Sequence, residues 1–96
     1  MNVTLADIEA WCKKLFFKVC RVWQDKQRRS RWLPRFGVEV EFYGKKLLLW
    51  VTNPFNREGF WFCYARPDHE GTARLAPTPR ECLERTAAAL RRRLCH

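Results

Sequence analysis

Between Phe36 and Val51 the residues that can build a core recur at every second position. Phe36, Val38, Val40 and Phe42 interleave with Gly37, Glu39, Glu41 and Tyr43, and Leu47, Leu49 and Val51 follow Gly44. Successive side chains of a strand point to opposite faces, so this period specifies a hairpin with one buried face. Gly44-Lys45 fits a two-residue turn with glycine first. That register pairs Phe42 with Leu47, Val40 with Leu49 and Val38 with Val51 on the apolar face, and sets Glu41 opposite Leu48 and Glu39 opposite Trp50 on the other. The rest of the chain must supply a layer to cover the apolar face.

Two helical patterns offer that layer. Thr4-Leu5-Ala6-Asp7 reads as a capping box, with Val3 and Ile8 placed for a hydrophobic staple. Leu5, Ile8, Trp11, Cys12, Leu15, Phe16, Val19, Val22 and Trp23 fall within one arc of about 140° on a helical wheel. No glycine or proline interrupts before Pro34, so a long helix is expected over residues 4–28. Phe17 then points away from the stripe, among Lys13, Lys14 and Arg21. At the other end Thr78 caps, Pro79 takes the first helical position and Glu81 completes a second capping box, which opens a helix near 79–94. Its stripe is Leu83, Ala87, Leu90 and Leu94. Phe60 to Ala65 reads as a third strand, with a short fourth if Thr72–Leu75 pairs.

The expectation is therefore a single α+β domain over residues 1–96. It has a long N-terminal helix, a three- or four-stranded antiparallel sheet and a C-terminal helix, with both helices on one sheet face. Val38, Val40, Phe42, Leu47, Leu49 and Val51 should be buried against Leu15, Val19, Leu83 and Leu90. The order helix, three strands, helix resembles the double-stranded-RNA-binding domain in topology. The lysine-rich start of that family's second helix is replaced here by Thr78-Pro79-Arg80-Glu81. Three strands followed by a helix also resemble the sheet-based DNA-binding domains of phage integrases, which read a groove with the sheet. No functional residue is carried over from either.

Nineteen Lys and Arg against ten Asp and Glu leave a net charge of +9, which points to an acidic partner. Residues 1–35 hold nine cations and three carboxylates, residues 36–65 three of each, and residues 66–96 seven and four. The basicity thus falls outside the predicted sheet. Residues 26–35, KQRRSRWLPR, carry five cations and no carboxylate. The phosphate-binding set expected from this clustering is Lys13, Lys14, Lys18, Arg21, Arg28, Arg29, Arg31 and Arg35, with Phe17 available to stack on a base. A second, neutral surface is expected on the sheet face turned away from the helices, where Leu48, Trp50, Phe60, Phe62 and Tyr64 form an apolar protein interface. Glu39 and Glu41 share that face and would repel phosphates.

Catalysis is not expected. His69, between Asp68 and Glu70, has no nucleophile placed beside it, and Cys63 is not in a motif. Five cysteines, none in a C-x-x-C pair, fit neither a disulfide framework nor a zinc ribbon, and imply a reduced, cytoplasmic chain without metal or cofactor. The start lacks a signal-peptide pattern, and the longest apolar run, Leu47 to Val51, is too short to span a membrane. The functional expectation is a non-enzymatic module that binds nucleic acid, DNA or RNA, through the first helix and the arginine-rich linker. The alternative is a small inhibitor or adaptor, of the kind phages and mobile elements encode, that docks through its aromatic sheet face on a larger protein or on a second copy of itself.

Overall fold

The computed structural model describes residues 3–25, 35–53, 59–66 and 69–94. Helix α1 (Leu5–Leu15) leads into strands β1 (Lys18–Asp25), β2 (Arg35–Phe42), β3 (Lys45–Thr52), β4 (Trp61–Arg66) and β5 (His69–Ala76), and helix α2 (Pro79–Leu94) closes the chain. The strands pair in sequence order as a five-stranded antiparallel meander. The α+β class stands; the strand count of three or four does not, nor does the helix–three strands–helix order on which the resemblances rested.

The α1 capping box forms in full, and the α2 cap forms through its Thr78 hydroxyl. The Asp7 amide donates to Thr4 Oγ1 at 3.2 Å and the Thr4 amide to Asp7 Oδ2 at 3.1 Å. At α2 the Glu81 amide donates to Thr78 Oγ1 at 3.1 Å. The first helix, however, ends at Leu15, far short of residue 28. Phe16 is already extended at φ −118°, ψ 152°, and its amide closes the last turn on the Cys12 carbonyl at 2.9 Å. Beyond it the residues change class. Phe16, Phe17, Val19, Val22 and Trp23 are aromatic or β-branched, types that lose rotamer freedom in a helix and fit a pleated surface.

One irregularity explains why this segment mimics a helix. The β1–β2 register shifts between Val19 and Arg21, which leaves Cys20 as an extra residue in the edge strand. Val19 pairs with Val40 and Val22 with Val38, so two valines three apart both turn to the core. An i, i+3 spacing on one face is the signature of a helix, and here a bulge produces it.

The hairpin turn also differs from expectation. Tyr43 and Gly44 are its central residues, at φ 49° and 75°. Two consecutive positive values make a type I′ turn, whose twist suits a hairpin. The resulting pairs are Val40 with Leu47, Val38 with Leu49 and Phe36 with Val51. This register is displaced by two residues from the expected one. Because the side-chain period is two, every residue keeps its face.

The core lies between that face and the helices. Val38, Val40, Phe42, Leu47, Leu49 and Val51 are all buried, in one cluster with Ile8 and Cys12 of α1 and Cys82, Leu83, Ala87 and Leu90 of α2. Leu15 and Val19 pack against it half-buried. Trp61, Cys63 and Ala65 carry the same face into β4. Helix α2 is tied down twice: the buried Thr86 hydroxyl donates to the Cys63 carbonyl at 3.4 Å, and Arg85 Nη1 donates to the Leu75 carbonyl at 2.8 Å.

On the opposite face Gly37 is the one β2 position whose residue type is dictated by contact. It is buried, and a methyl group there would fall inside the Trp23 indole, which lies across it from β1. Gly37→Ala is expected to swing Trp23 off the sheet and to destabilise the fold by about 1–3 kcal/mol. Thermal unfolding checks the loss, and a red-shifted tryptophan emission reports the displaced ring.

Candidate functional site

The sheet face turned away from the helices is built by the residues that alternate with the core. Cross-strand pairing sets Trp23, Gly37, Trp50 and Tyr64 in one row across β1 to β4. The next row runs Arg21, Glu39, Leu48 and Arg66, and on the other side lie Arg35, Thr52, Phe62 and Leu75. Since Gly37 has no side chain, Trp23 reaches across it and meets Trp50 edge to face, with ring centroids 5.6 Å apart. Phe62 and Tyr64 continue the surface at 5.5 Å.

Arginines lie on these rings. The Arg35 guanidinium carbon sits 3.9 Å from the centroid of Trp50, and Arg35 Nη2 donates to Tyr64 Oη at 3.4 Å. Arg21 covers Trp23 at 4.4 Å, and Arg66 lies 5.8 Å from the Tyr64 ring. A guanidinium stacked this way gains cation–π attraction and keeps its positive charge on the surface of the ring. Lys18 pairs with Glu41 and Glu41 with Lys46, so these also belong to this face. By register its described charges are therefore Lys18, Arg21, Arg35, Lys46 and Arg66 against Asp25, Glu39 and Glu41. The expected neutrality of the sheet is overturned, because β1 and Arg35 bring into it cations that were counted with a helix and a linker.

The helices use their cations differently. Lys13 pairs with Glu9 at 3.0 Å, Arg80 with Glu84 at 3.1 Å and Arg85 with Glu81 at 3.8 Å, each one helical turn apart. Lys14 and Arg91, Arg92 and Arg93 are exposed in the last turns of α1 and α2, where the helix dipole favours positive charge.

The predicted phosphate-binding residues thus separate. Lys13 and Lys14 are on α1. Phe17 sits at the junction of α1 and β1, 68% exposed, with one side against Phe42 at 5.0 Å and Tyr43 at 4.8 Å. Lys18, Arg21 and Arg35 stand on the outer sheet face, while Arg28, Arg29 and Arg31 lie outside the described residues. The residues expected at a protein interface, Leu48, Trp50, Phe62 and Tyr64, share that outer face with Arg21 and Arg35, and Phe60 is exposed just before β4. Among the described residues the two expected surfaces overlap through Lys18, Arg21 and Arg35. Trp23, Lys46 and Arg66 also belong to this face and were not anticipated there, whereas Glu39 was. The signal for Trp23 was present in the β-favouring composition of residues 16–23, hidden by the bulge.

At one end of this face lies a hollow of about 490 Å³ lined by Cys20, Glu39, Lys46, Leu47, Leu48 and Arg66. Elsewhere, Cys12, Cys63 and Cys82 are buried and free. The hydrogen bond that Cys82 shares with Cys63, together with burial, pushes its thiol far above the ordinary range; burial, then the proximity of Cys63, does the same to Cys12. Cys82 Sγ donates to the Pro79 carbonyl at 3.2 Å. Cys12 and Cys82 are core thiols held neutral. Among the described residues no group of three or more His, Cys, Asp or Glu is arranged to hold a metal ion, and no helix is long and apolar enough to cross a membrane.

Comparison with protein-family models, with curated proteins and with solved structures returns no match.

Two outcomes follow from the thiol environments. Of the described cysteines, Cys20 should be alkylated by iodoacetamide well before Cys12, Cys63 and Cys82, as read by peptide mass spectrometry. Stability should fall as the pH rises above the ordinary thiol value of 9.0, because the unfolded chain then releases protons that folded Cys12 and Cys82 retain. The slope from each thiol approaches about 1.4 kcal/mol per pH unit. Urea unfolding at pH 8 and pH 10 measures it, and the Cys12→Ala/Cys82→Ala variant should show a smaller difference between the two.

Proposed function

We propose that this chain is a non-enzymatic module that binds single-stranded nucleic acid on the outer face of its sheet. The observation that carries the reading is the row of Trp23, Trp50 and Tyr64 overlaid by Arg21, Arg35 and Arg66. Unpaired bases have open π-faces that stack on aromatic rings and on guanidinium planes, and the backbone between them needs cations. A duplex hides its base faces and would use only the cations. The net charge of +9 supports a polyanionic ligand. The ion pairing of Lys13, Arg80 and Arg85 within their helices favours the sheet over the helical exterior as the contact surface.

A second reading has its own support. Phe60 and Leu75 are 44% and 49% exposed, and with Leu48 and Phe62 they make the β4–β5 side of this face apolar, as a protein partner would require. In that case the chain is an adaptor or inhibitor docking through the same surface.

Salt and one ring separate the two. Fluorescence anisotropy with a labelled oligouridine should show affinity falling steeply between low and physiological salt, with a log–log slope of about −0.7 per phosphate contacted. Trp50→Ala should weaken binding about 5- to 150-fold, the equivalent of about 1–3 kcal/mol of stacking. Arg66→Gln should weaken it evenly across sequences and flatten the salt slope by about one contact. If no oligonucleotide binds at low salt while a protein partner is captured independently of salt, the docking reading replaces this one.

A further inference from the structure

We infer that the hollow beside the stacking row is a subsite for one guanine base of the bound strand. The inference rests on the reading above and adds to it a base preference that stacking alone does not create. The hollow is open to solvent and has about 490 Å³, room enough for one base. Leu48 supplies an apolar wall, Lys46 and Arg66 supply two cations, and Glu39 supplies the one carboxylate.

Glu39 decides which base the hollow takes. It stands between Arg21 on β1 and Leu48 on β3, exposed, and is in no ion pair among the described residues. An ionised carboxylate only accepts hydrogen bonds, through two oxygens side by side. Against phosphate that is repulsive, which is why the same residue weighs against simple backbone binding at this position. Against a base edge it is selective. Guanine presents two adjacent donors on its Watson–Crick edge, the ring N–H and the exocyclic amino group, and a carboxylate meets both at once. Adenine and cytosine each set a ring acceptor next to their amino group, which the carboxylate repels. Uracil and thymine set one ring N–H between two carbonyl acceptors. Lys46 and Arg66 then stand where the flanking phosphates of a base held by Glu39 need neutralising, and Leu48 offers an apolar wall to the ring.

Cys20 gives the hollow a built-in reporter. It is the extra residue of the β1 bulge, its thiol is free and exposed, and it lines the hollow. Occupancy of the subsite by a base covers it.

The test uses the full chain and three labelled oligouridines that differ only at a central position: uridine, guanosine or inosine. Inosine keeps the ring N–H and lacks the amino group. The guanosine oligomer should bind about 10-fold tighter than the all-uridine one, the scale of one bidentate base contact. The inosine oligomer should fall back to within about twofold of uridine. Glu39→Gln, isosteric and at an exposed position, should abolish the guanosine preference, so that the guanosine and all-uridine oligomers bind the variant within about twofold of each other. At equal occupancy the guanosine oligomer should slow iodoacetamide alkylation of Cys20 more than oligouridine does. Equal affinity for the uridine and guanosine oligomers, or a preference that survives Glu39→Gln, overturns the subsite and leaves the stacking surface standing. Failure of every oligomer to bind at low salt overturns the nucleic-acid reading and the subsite with it.

Discussion

Burial of one face of the β2–β3 hairpin is the constraint from which the rest of the structure follows. Phe36, Val38, Val40, Phe42, Leu47, Leu49 and Val51 are all essentially inaccessible, and each large apolar side chain so placed is worth about 1.5–3 kcal/mol. No arrangement that leaves this face in water competes with that gain. Two helices must lie on it, and both have short amphipathic stripes that match it. The pleat then admits no choice about the alternate residues. Gly37, Glu39, Leu48 and Trp50 go to the other side because Val38, Val40, Leu47 and Leu49 are inside.

That other side solves a problem of exposure. Two indoles and several other rings on an open sheet face would be a sizeable apolar patch on a small chain. Arg21 and Arg35 lie over Trp23 and Trp50 at 4.4 and 3.9 Å, which shields the rings and keeps positive charge on this surface. The bare backbone at Gly37 lets Trp23 lie flat enough to reach Trp50, so the edge strand β1 is fixed on both faces: its valines in the core, its tryptophan across the sheet. Aromatic and cationic groups end up interleaved, an arrangement suited to a ligand that is itself alternately flat and anionic.

The distribution of charge matters more than its sum. On the helices acids sit one turn from several bases and neutralise them locally. On the outer sheet face the cations outnumber the acids, and Arg21, Arg35 and Arg66 lie over aromatic rings. The residue that most opposes a uniform phosphate track, Glu39, is the one that gives the hollow chemical selectivity. The thiols divide in the same way by place. Cys12, Cys63 and Cys82 are buried core groups, with the ionisation of Cys12 and Cys82 opposed by the interior, whereas Cys20 is extruded by a bulge onto the surface.

Local pattern alone determined much of this protein. The two helix caps at Thr4 and Thr78, the second helix, the alternation of β2 and β3 and the six buried strand residues could be read directly, because each depends on neighbours within a few positions. The register was misread by two residues without consequence for the faces, since a two-residue shift conserves the pleat. What only the tertiary structure decided was the fate of residues 16–25. Their apolar spacing satisfies a helix and a bulged strand equally, and the β-favouring residue types among them are too weak a local signal to separate the two. Pairing with β2 settles it: Val19 and Val22 find Val40 and Val38, and Trp23 finds the one position in the neighbouring strand with no side chain. With that choice Arg21 leaves a helix for the sheet, and it joins Arg35 on the aromatic face. The surface therefore exists only in three dimensions, because its residues come from four strands and a hydrogen-bonded register, not a sequence interval, brings them within reach of one another.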